Sequence, residues 1–207
     1  MACLLTASLG VEAKSMKDLL VSMPDEMMPT LSSNMRLEFA ELQEMGVKAE
    51  VKNLLGEVSV MDTLTQDFVQ VRMSKVSTLQ MKKLPMENGD SVLCVVKSFA
   101  GPEKEGELYF FSQEWKVLDA SRFWGGKCIE DLAETLIQKP DTMSESRFAD
   151  LKAMIEPKMV SALLFQNENA LVVRLASPLL SADDKKAVNV IKLQRKFNWS
   201  NGSFKES

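Results

Sequence analysis

Apolar residues recur at helical spacing in two stretches near the start of the chain. In the first stretch they follow at three- and four-residue steps, at Met16, Leu19, Leu20 and Met23. This spacing places them on one face of a short helix. The second stretch covers residues 34–45, with Ser33 as the expected N-cap and Gly46 where a left-handed residue would end the helix. The pattern predicts a pair of helices.

The stretch that follows is typical of β-strands separated by short turns. Its predicted strands are residues 68–74, 76–84, 91–100 and 107–112. Consecutive strands joined by short turns favour antiparallel pairing over helical crossovers. The run Val92–Val96 is apolar on both faces, which predicts a central strand.

The second half repeats this order of elements. Helical spacing returns at residues 128–138 and 144–154, with Thr142 and Glu145 spaced as a capping box. The predicted strands after them are residues 158–165, 170–177 and 187–199. The sequence therefore predicts the α+β class, with a helix pair plus an antiparallel sheet that occurs twice in tandem.

Two local matches suggest an internal duplication. Residues 39–45 resemble residues 148–154, at the end of each predicted helix pair, and Val71-Arg72 resembles Val173-Arg174 downstream. We expect segments 14–119 and 120–207 to be the two copies, packed as one compact unit. Coincidence stays open as an alternative, because Phe-Ala-x-Leu is a common phrase in amphipathic helices.

Residues 1–13 have the pattern of a truncated signal peptide. An apolar run ends at small residues, with Val11 and Ala13 at the positions that a signal peptidase reads. The missing basic segment suggests a start codon upstream. A frayed helix, or lipidation at Cys3, are the alternatives. We expect an exported protein, periplasmic or associated with the cell envelope, with no segment of the ~20 apolar residues needed to span a bilayer.

Composition excludes several kinds of chemistry. Among 207 residues there is no histidine, which rules out histidine bases, Ser-His-Asp triads and histidine zinc ligands. Three cysteines are too few for a four-thiolate zinc site. We predict no catalytic, cofactor-binding or metal residues and no cofactor. Whether Cys94 and Cys128 form a disulfide stays open.

Charge and motif content narrow the expected partners. The net charge of −4 provides no overall basic field, so nucleic acid is not an expected partner. A basic stretch does occur between Lys185 and Lys196 and ends in Phe197-Asn-Trp199, but alternation favours a strand whose lysines are solvated. Four aspartates stand at predicted turns, where capping explains them better than catalysis: Asp62, Asp67, Asp183 and Asp184.

Two motifs carry a family resemblance. Residues 23–31 read Met-Pro-Asp-Glu-Met-Met-Pro-Thr-Leu, and residues 47–56 contain Ala-Glu-Val-Lys-Asn-Leu-Leu-Gly. These segments resemble an exported family of Bacteroidales known only as a domain of unknown function. The resemblance extends to about Trp115, continues more weakly beyond it, and implies export but no catalytic residue. The element order is also similar to that of β-lactamase inhibitory proteins, an analogy that does not fix a function.

The sequence favours a non-enzymatic exported protein that binds a protein or peptide partner in the cell envelope through its sheet surface. Arg72 and Arg174, on the polar sides of their strands, are the candidate contacts, and Trp115 and Trp124 lie near loops where they could anchor a partner. The alternative is a carboxylate-dependent hydrolase acting on a periplasmic glycan. Two carboxylates facing each other in a cleft would favour that alternative.

Overall fold

The structure is a computed structural model that describes residues 14–126, 129–191 and 193–207, without the side chains of residues 129–132. The predicted signal segment 1–13 and Cys128 lie outside the described residues. Cys94 is described, as a free and fully buried thiol. Burial raises the pKa of this thiol.

The described residues form helices and antiparallel strands, which confirms the α+β class. The helices are α1 (Met16–Val21), α2 (Ser33–Glu44), α3 (Ile129–Leu136), α4 (Glu145–Ala153) and α5 (Ala182–Val188), with a 3-10 helix at Ala120–Phe123. No helix in this part of the chain is long and apolar enough to cross a bilayer.

The strands form two sheets, and in each of them neighbours in sequence are neighbours in space. The larger sheet contains β1 (Ala49–Lys52), β2 (Val58–Leu64), β3 (Phe68–Arg72), β4 (Ser77–Pro85), β5 (Ser91–Ala100), β6 (Lys104–Phe111) and β7 (Val117–Leu118), in that order. The smaller sheet contains β8 (Met159–Leu164), β9 (Ala170–Ala176), β10 (Gln194–Ser200) and β11 (Ser203–Glu206). As predicted, β5 is an interior strand, and Val92–Val96 are buried.

Three details of the predicted elements were wrong. The N-cap of α2 is Ser32 instead of Ser33, and that of α4 is Ser144 instead of Thr142. The strand predicted from residue 187 begins only at Gln194, because the residues up to Val188 belong to α5. Ser181 caps this helix by accepting a hydrogen bond from the Asp184 amide. Gly46 does adopt the expected left-handed conformation after α2, with φ of 68°.

One apolar core lies between α1, α2 and one face of the larger sheet, which we call the helix-covered face. The fully buried strand side chains on it are Val69, Val71, Leu79, Met81, Leu93 and Val95. Arg36 of α2 is buried with them, and its guanidinium donates to the carbonyl oxygens of Val21, Met23 and Leu31. These bonds hold the end of α1 and the α1–α2 connection against α2.

A second core covers part of the opposite face of the larger sheet, which we call the open face. Phe68, Cys94 and Phe110 from the larger sheet share this core with Leu171 and Val173 of β9. The core therefore crosses the predicted boundary between residues 119 and 120.

The tandem arrangement keeps its element order in the structure, since α1–α2 and α3–α4 each precede a sheet. The two halves differ in extent, with seven strands against four, and α5 separates β9 from β10. Arg72 and Arg174 each lie on a strand that has neighbours on both sides. We retain the duplication as a proposal, to be tested by superposing residues 32–85 on residues 144–199.

Candidate functional site

A row of mostly small and polar residues crosses the open face and continues into the smaller sheet. Within the larger sheet, Arg72 of β3 is the Cα partner of Thr78, Thr78 of Ser98, and Ser98 of Gly106. Directly paired residues of antiparallel strands project on the same face. With strands spaced by ~4.8 Å, the part from β3 to β6 spans about 14 Å.

Gly106 is where the two sheets meet along this row. A Cβ atom at this position would lie 3.1 Å from the Lys97 oxygen and 3.6 Å from the Ser161 Cα atom, so the missing side chain permits the close approach of β8. Ser161 is in turn the Cα partner of Arg174 on β9. We call the resulting set the arginine row: Arg72, Thr78, Ser98, Gly106, Ser161 and Arg174.

At one end of the arginine row, Arg72 is held by Asp62 of the neighbouring strand β2. The Arg72 Nη2 atom donates to Asp62 Oδ1 at 2.7 Å, and Nε lies 3.0 Å from each carboxylate oxygen. Partial burial opposes ionisation of Asp62, but hydrogen bonds from Arg72 and Gln70 outweigh it and lower the pKa of this carboxyl. The hydrogen bond to Asp62 raises the pKa of Arg72. This end is a neutral, pre-formed ion pair.

A chain of amide side chains connects this ion pair to the second sheet. Gln70 Nε2 donates to Asp62 at 3.1 Å, and Gln80 Nε2 donates to Gln70 Oε1 at 2.7 Å. The Gln80 carbonyl then accepts from the Leu164 amide at 2.9 Å. Because Leu164 lies on the edge strand β8, its amide faces away from the neighbouring strand β9, and Gln80 supplies the acceptor that this amide would otherwise lack.

At the other end, Arg174 lines two adjoining cavities of about 200 and 280 Å³. Both cavities are also lined by Glu103, from the connection between β5 and β6, and by Ala176. Lys185 of α5 donates to the Glu103 carboxylate at 2.6 Å. We call the two cavities together the Arg174 groove.

Exposed apolar side chains adjoin the row in each of the two sheets. Val58 precedes Val60, the β2 partner of Arg72, by two residues and is 59% exposed. Leu163 follows Ser161 by two residues on β8 and is 51% exposed. Side chains two positions apart on a strand project on the same face. The surface thus combines an arginine at each end, a polar middle and apolar flanks.

The two candidate tryptophans lie elsewhere. Trp115, with a left-handed φ of 62°, packs on Phe111 of the helix-covered face and donates to the Ser22 hydroxyl at 3.3 Å. Trp124 is only 5% exposed and packs against Phe197 and Phe204 in the second core. As placed, Trp124 offers no surface for anchoring a partner, and neither tryptophan belongs to the arginine row.

Of the four aspartates expected at turns, Asp62 lies within β2, and Asp183 and Asp184 lie in the first turn of α5, so the expectation was wrong for these three. Each of the four has a partner within the protein. Asp62 pairs with Arg72, Asp67 with Lys82, and Asp183 with Lys186. The Asp184 carboxylate accepts from the Ser181 hydroxyl. Four cavities lined by described residues each contain at most one carboxylate. These positions supply no facing pair of carboxylates of the kind that a glycan hydrolase uses.

Among the described residues, no group of three or more acidic or cysteine side chains could hold a metal ion. One buried cation does connect the sheets: Lys82 donates to Asp67 at 3.0 Å and to the Gln166 carbonyl at 2.8 Å. Asp67 precedes β3 of the larger sheet and Gln166 follows β8 of the smaller sheet, so Lys82 holds the two sheets together.

Three residues of the surface were missed as functional candidates: Ser161, Glu103 and Lys185. Ser161 and Glu103 stand in ordinary strand and turn contexts that carry no functional pattern. Lys185 was assigned to a basic stretch leading into a strand, whereas the spacing of Ser181 and Asp184 is that of a helix start.

Comparisons with known proteins give a family and a fold. A family model described as a protein of unknown function (DUF3256) matches residues 8–204. A solved structure from Porphyromonas gingivalis, described as a domain of an uncharacterized protein, is 21% identical to the chain with a TM-score of 0.75. It covers 94% of this chain and 100% of its own length, and at this identity the likeness shows the fold alone. The comparison with curated proteins gives no match.

Proposed function

The chain belongs to the DUF3256 family, whose function is not established, and on that premise we propose that it binds a protein or peptide partner through the arginine row without catalysing a reaction. The observation that carries the proposal is the uncovered part of the open face. Arg72, Thr78 and Ser98 lie there as polar side chains that the core does not need, and the row continues past Gly106 to Ser161 and Arg174 of the smaller sheet.

The residues at the ends of the row add little to stability, which is why binding is the better account of them. Arg72 is 53% exposed, and because solvent screens exposed ion pairs, its pair with Asp62 adds little to stability. Arg174 is also exposed. Arginine is enriched among the residues that dominate binding energy at protein interfaces, because its planar guanidinium donates several hydrogen bonds at once.

The composition of the surrounding surface supports a protein partner over a small molecule. Val58 and Leu163 are large, exposed apolar side chains beside a polar row, the mixture found where an apolar interface centre meets a polar rim. The cavities at Arg174 are small, whereas the whole row extends over two sheets. A surface of this width suits a polypeptide chain.

The proposal places the protein outside the cytoplasm, in the periplasm or at the cell envelope. Its support is the apolar run and small-residue pattern of residues 1–13. Sequencing the N-terminus of protein isolated from cells tests this directly. The expected first residue is Lys14, and an intact Met1 on cytosolic material would contradict export.

Site-specific photo-crosslinking tests the proposed surface. A photoreactive amino acid replaces Thr78 or Ser98, in the middle of the arginine row, and Glu38, an exposed residue of α2, serves as the control position. We expect one defined adduct from the two row positions in cells and none from position 38. Identification of the adduct by mass spectrometry, followed by reconstitution with the purified partner, completes the test.

The pattern across positions decides the outcome. Adducts of the same mass from positions 38, 78 and 98 would show indiscriminate reaction, and no adduct from either row position would remove the proposal that this surface binds a partner. Adducts confined to the row would support it.

A further inference from the structure

We propose that the Arg174 groove takes an acidic side chain of the partner, so that the arginine row binds a peptide segment in one orientation. This inference rests on the proposed function and adds the chemistry and the direction of binding. The observation behind it is a difference between the two ends of the row, which carry the same residue type in different electrostatic states.

The guanidinium of Arg174 has no hydrogen bond or ion pair among the residues that the structure describes, although it lines both cavities of the groove. Arginine stays charged at any physiological pH and presents a planar fork that matches a carboxylate. The fork of Arg174 is therefore available to an incoming acid, whereas that of Arg72 is already bonded to Asp62.

The obvious internal acceptor for Arg174 is Glu103, and Lys185 holds it instead. The Lys185 ammonium and the Glu103 carboxylate are joined at 2.6 Å, and the Glu103 side chain is only 20% exposed. This ion pair bridges the β5–β6 connection and α5 on either side of the groove. It fixes the groove walls and leaves the arginine charge uncompensated.

The local charge of the groove opposes that of the whole protein. Three described lining side chains are cationic and one is anionic, since Lys104 joins Arg174 and Lys185 against Glu103. The full chain carries a net charge of −4. A cationic groove on an acidic protein attracts an acidic group locally without attracting polyanions over the whole surface.

A neighbouring hydroxyl completes the recognition. Ser161, the Cα partner of Arg174, lines the same cavity and has no hydrogen-bond partner for its hydroxyl among the described residues. An acidic side chain reaching Arg174 can accept from this hydroxyl as well. At the far end of the row, the neutral Arg72–Asp62 pair suits uncharged polar groups, which sets the direction of the bound segment.

Peptide titration followed by NMR tests this inference on the whole protein. The probe is acetyl-Ser-Glu-Val-Glu-Ser-amide, and its match is the same peptide with both glutamates replaced by glutamine. We expect the acidic peptide to shift the Arg174 Nε–H resonance and to bind about tenfold or more tightly than its match, the effect of one charge-assisted pair. Sodium acetate at equal carboxylate concentration should bind more weakly than the acidic peptide.

Variants locate the effect and separate it from folding. Arg174→Gln should reduce binding of the acidic peptide about tenfold, and Arg174→Lys should recover part of it. Arg147→Gln makes the same charge change on exposed α4 and should leave binding within about twofold. Unfolding curves for all variants establish that each is folded.

The outcomes distinguish this inference from the proposed function. Equal binding of the two peptides, no binding of either, or acetate as effective as the acidic peptide would each overturn the acidic-segment inference. None of those results alters the crosslinking pattern along the row, which tests the proposed function by itself.

Discussion

The two faces of the larger sheet are built from alternate residues of the same strands, yet they differ in how completely the fold covers them. On β3, Val71 is fully buried under the helices, whereas the adjacent Arg72 is 53% exposed. On β4, Leu79 is fully buried and the adjacent Thr78 is only partly covered. The helix-covered face is closed, and the open face retains an accessible polar surface.

This difference separates, within one sheet, the residues that stabilise the fold from the residues that take part in the proposed binding. Burial of apolar side chains on the helix-covered face contributes roughly 25 cal/mol per Å² removed from water, and close packing makes each of them hard to shorten. Exposed polar residues on the open face contribute little by comparison. Their arrangement into a continuous row is therefore better explained by recognition than by folding.

The largest effect is expected on the helix-covered face. Leu79→Ala should lower the free energy of unfolding by about 2–5 kcal/mol, since it removes fully buried methyl groups and leaves a cavity. Denaturant unfolding followed by circular dichroism measures this change.

The matched control lies on the other sheet beside the row. Leu163→Ala removes the same atoms from a side chain that is 51% exposed, and its cost should stay within about 1 kcal/mol. If Leu79→Ala and Leu163→Ala lower the free energy of unfolding equally, the proposed difference between the buried core and the exposed surface is wrong.

A smaller effect is expected at the Arg72–Asp62 pair. Hydrogen bonds hold the pKa of Asp62 below its ordinary value of 3.8, so the ionised carboxylate stabilises the folded state above that value. The contribution should be lost as the pH falls through the lowered pKa of the folded protein. Because solvent screens this pair, Asp62→Asn should cost less than about 1 kcal/mol at neutral pH.

The effect of Asp62→Asn on the free energy of unfolding should depend on pH in one direction. The difference in unfolding free energy between the native protein and Asp62→Asn should shrink as the pH is lowered below about 4. Asp141→Asn, an exposed change in the turn before α4, serves as the control. If this difference instead grows on acidification, ionisation of Asp62 destabilises the folded protein, and the prediction is wrong.

Much of the fold could be predicted from local pattern. Alternation placed Val71 inside and Arg72 outside, and the doubly apolar run of β5 marked an interior strand. Strands β1 and β2 were missed, since their alternation is short and is broken by the turn at residues 53–57. The α5 helix was missed because its lysines were interpreted as protecting an exposed strand.

The site itself could be predicted only in part. Arg72 and Arg174 were placed on the polar sides of their strands, but the row that connects them depends on the contact of Gly106 with β8, 55 residues further along the chain at Ser161. No local pattern encodes that contact. The burial of Trp124 could not be predicted for a similar reason, because the ring that stacks on it belongs to Phe204, on the last strand.

The most direct test of the central claim combines binding and stability in the Arg72→Ala, Arg174→Ala double variant. Each replacement should cost about 1–3 kcal/mol of affinity for the crosslinked partner, as expected for a charge-assisted hydrogen bond at an interface. The photo-adduct at position 78 or 98 should therefore be lost from the double variant. The free energy of unfolding should change by no more than about 1 kcal/mol. Undiminished crosslinking in a variant that remains folded would contradict the assignment of the arginine row as the binding surface.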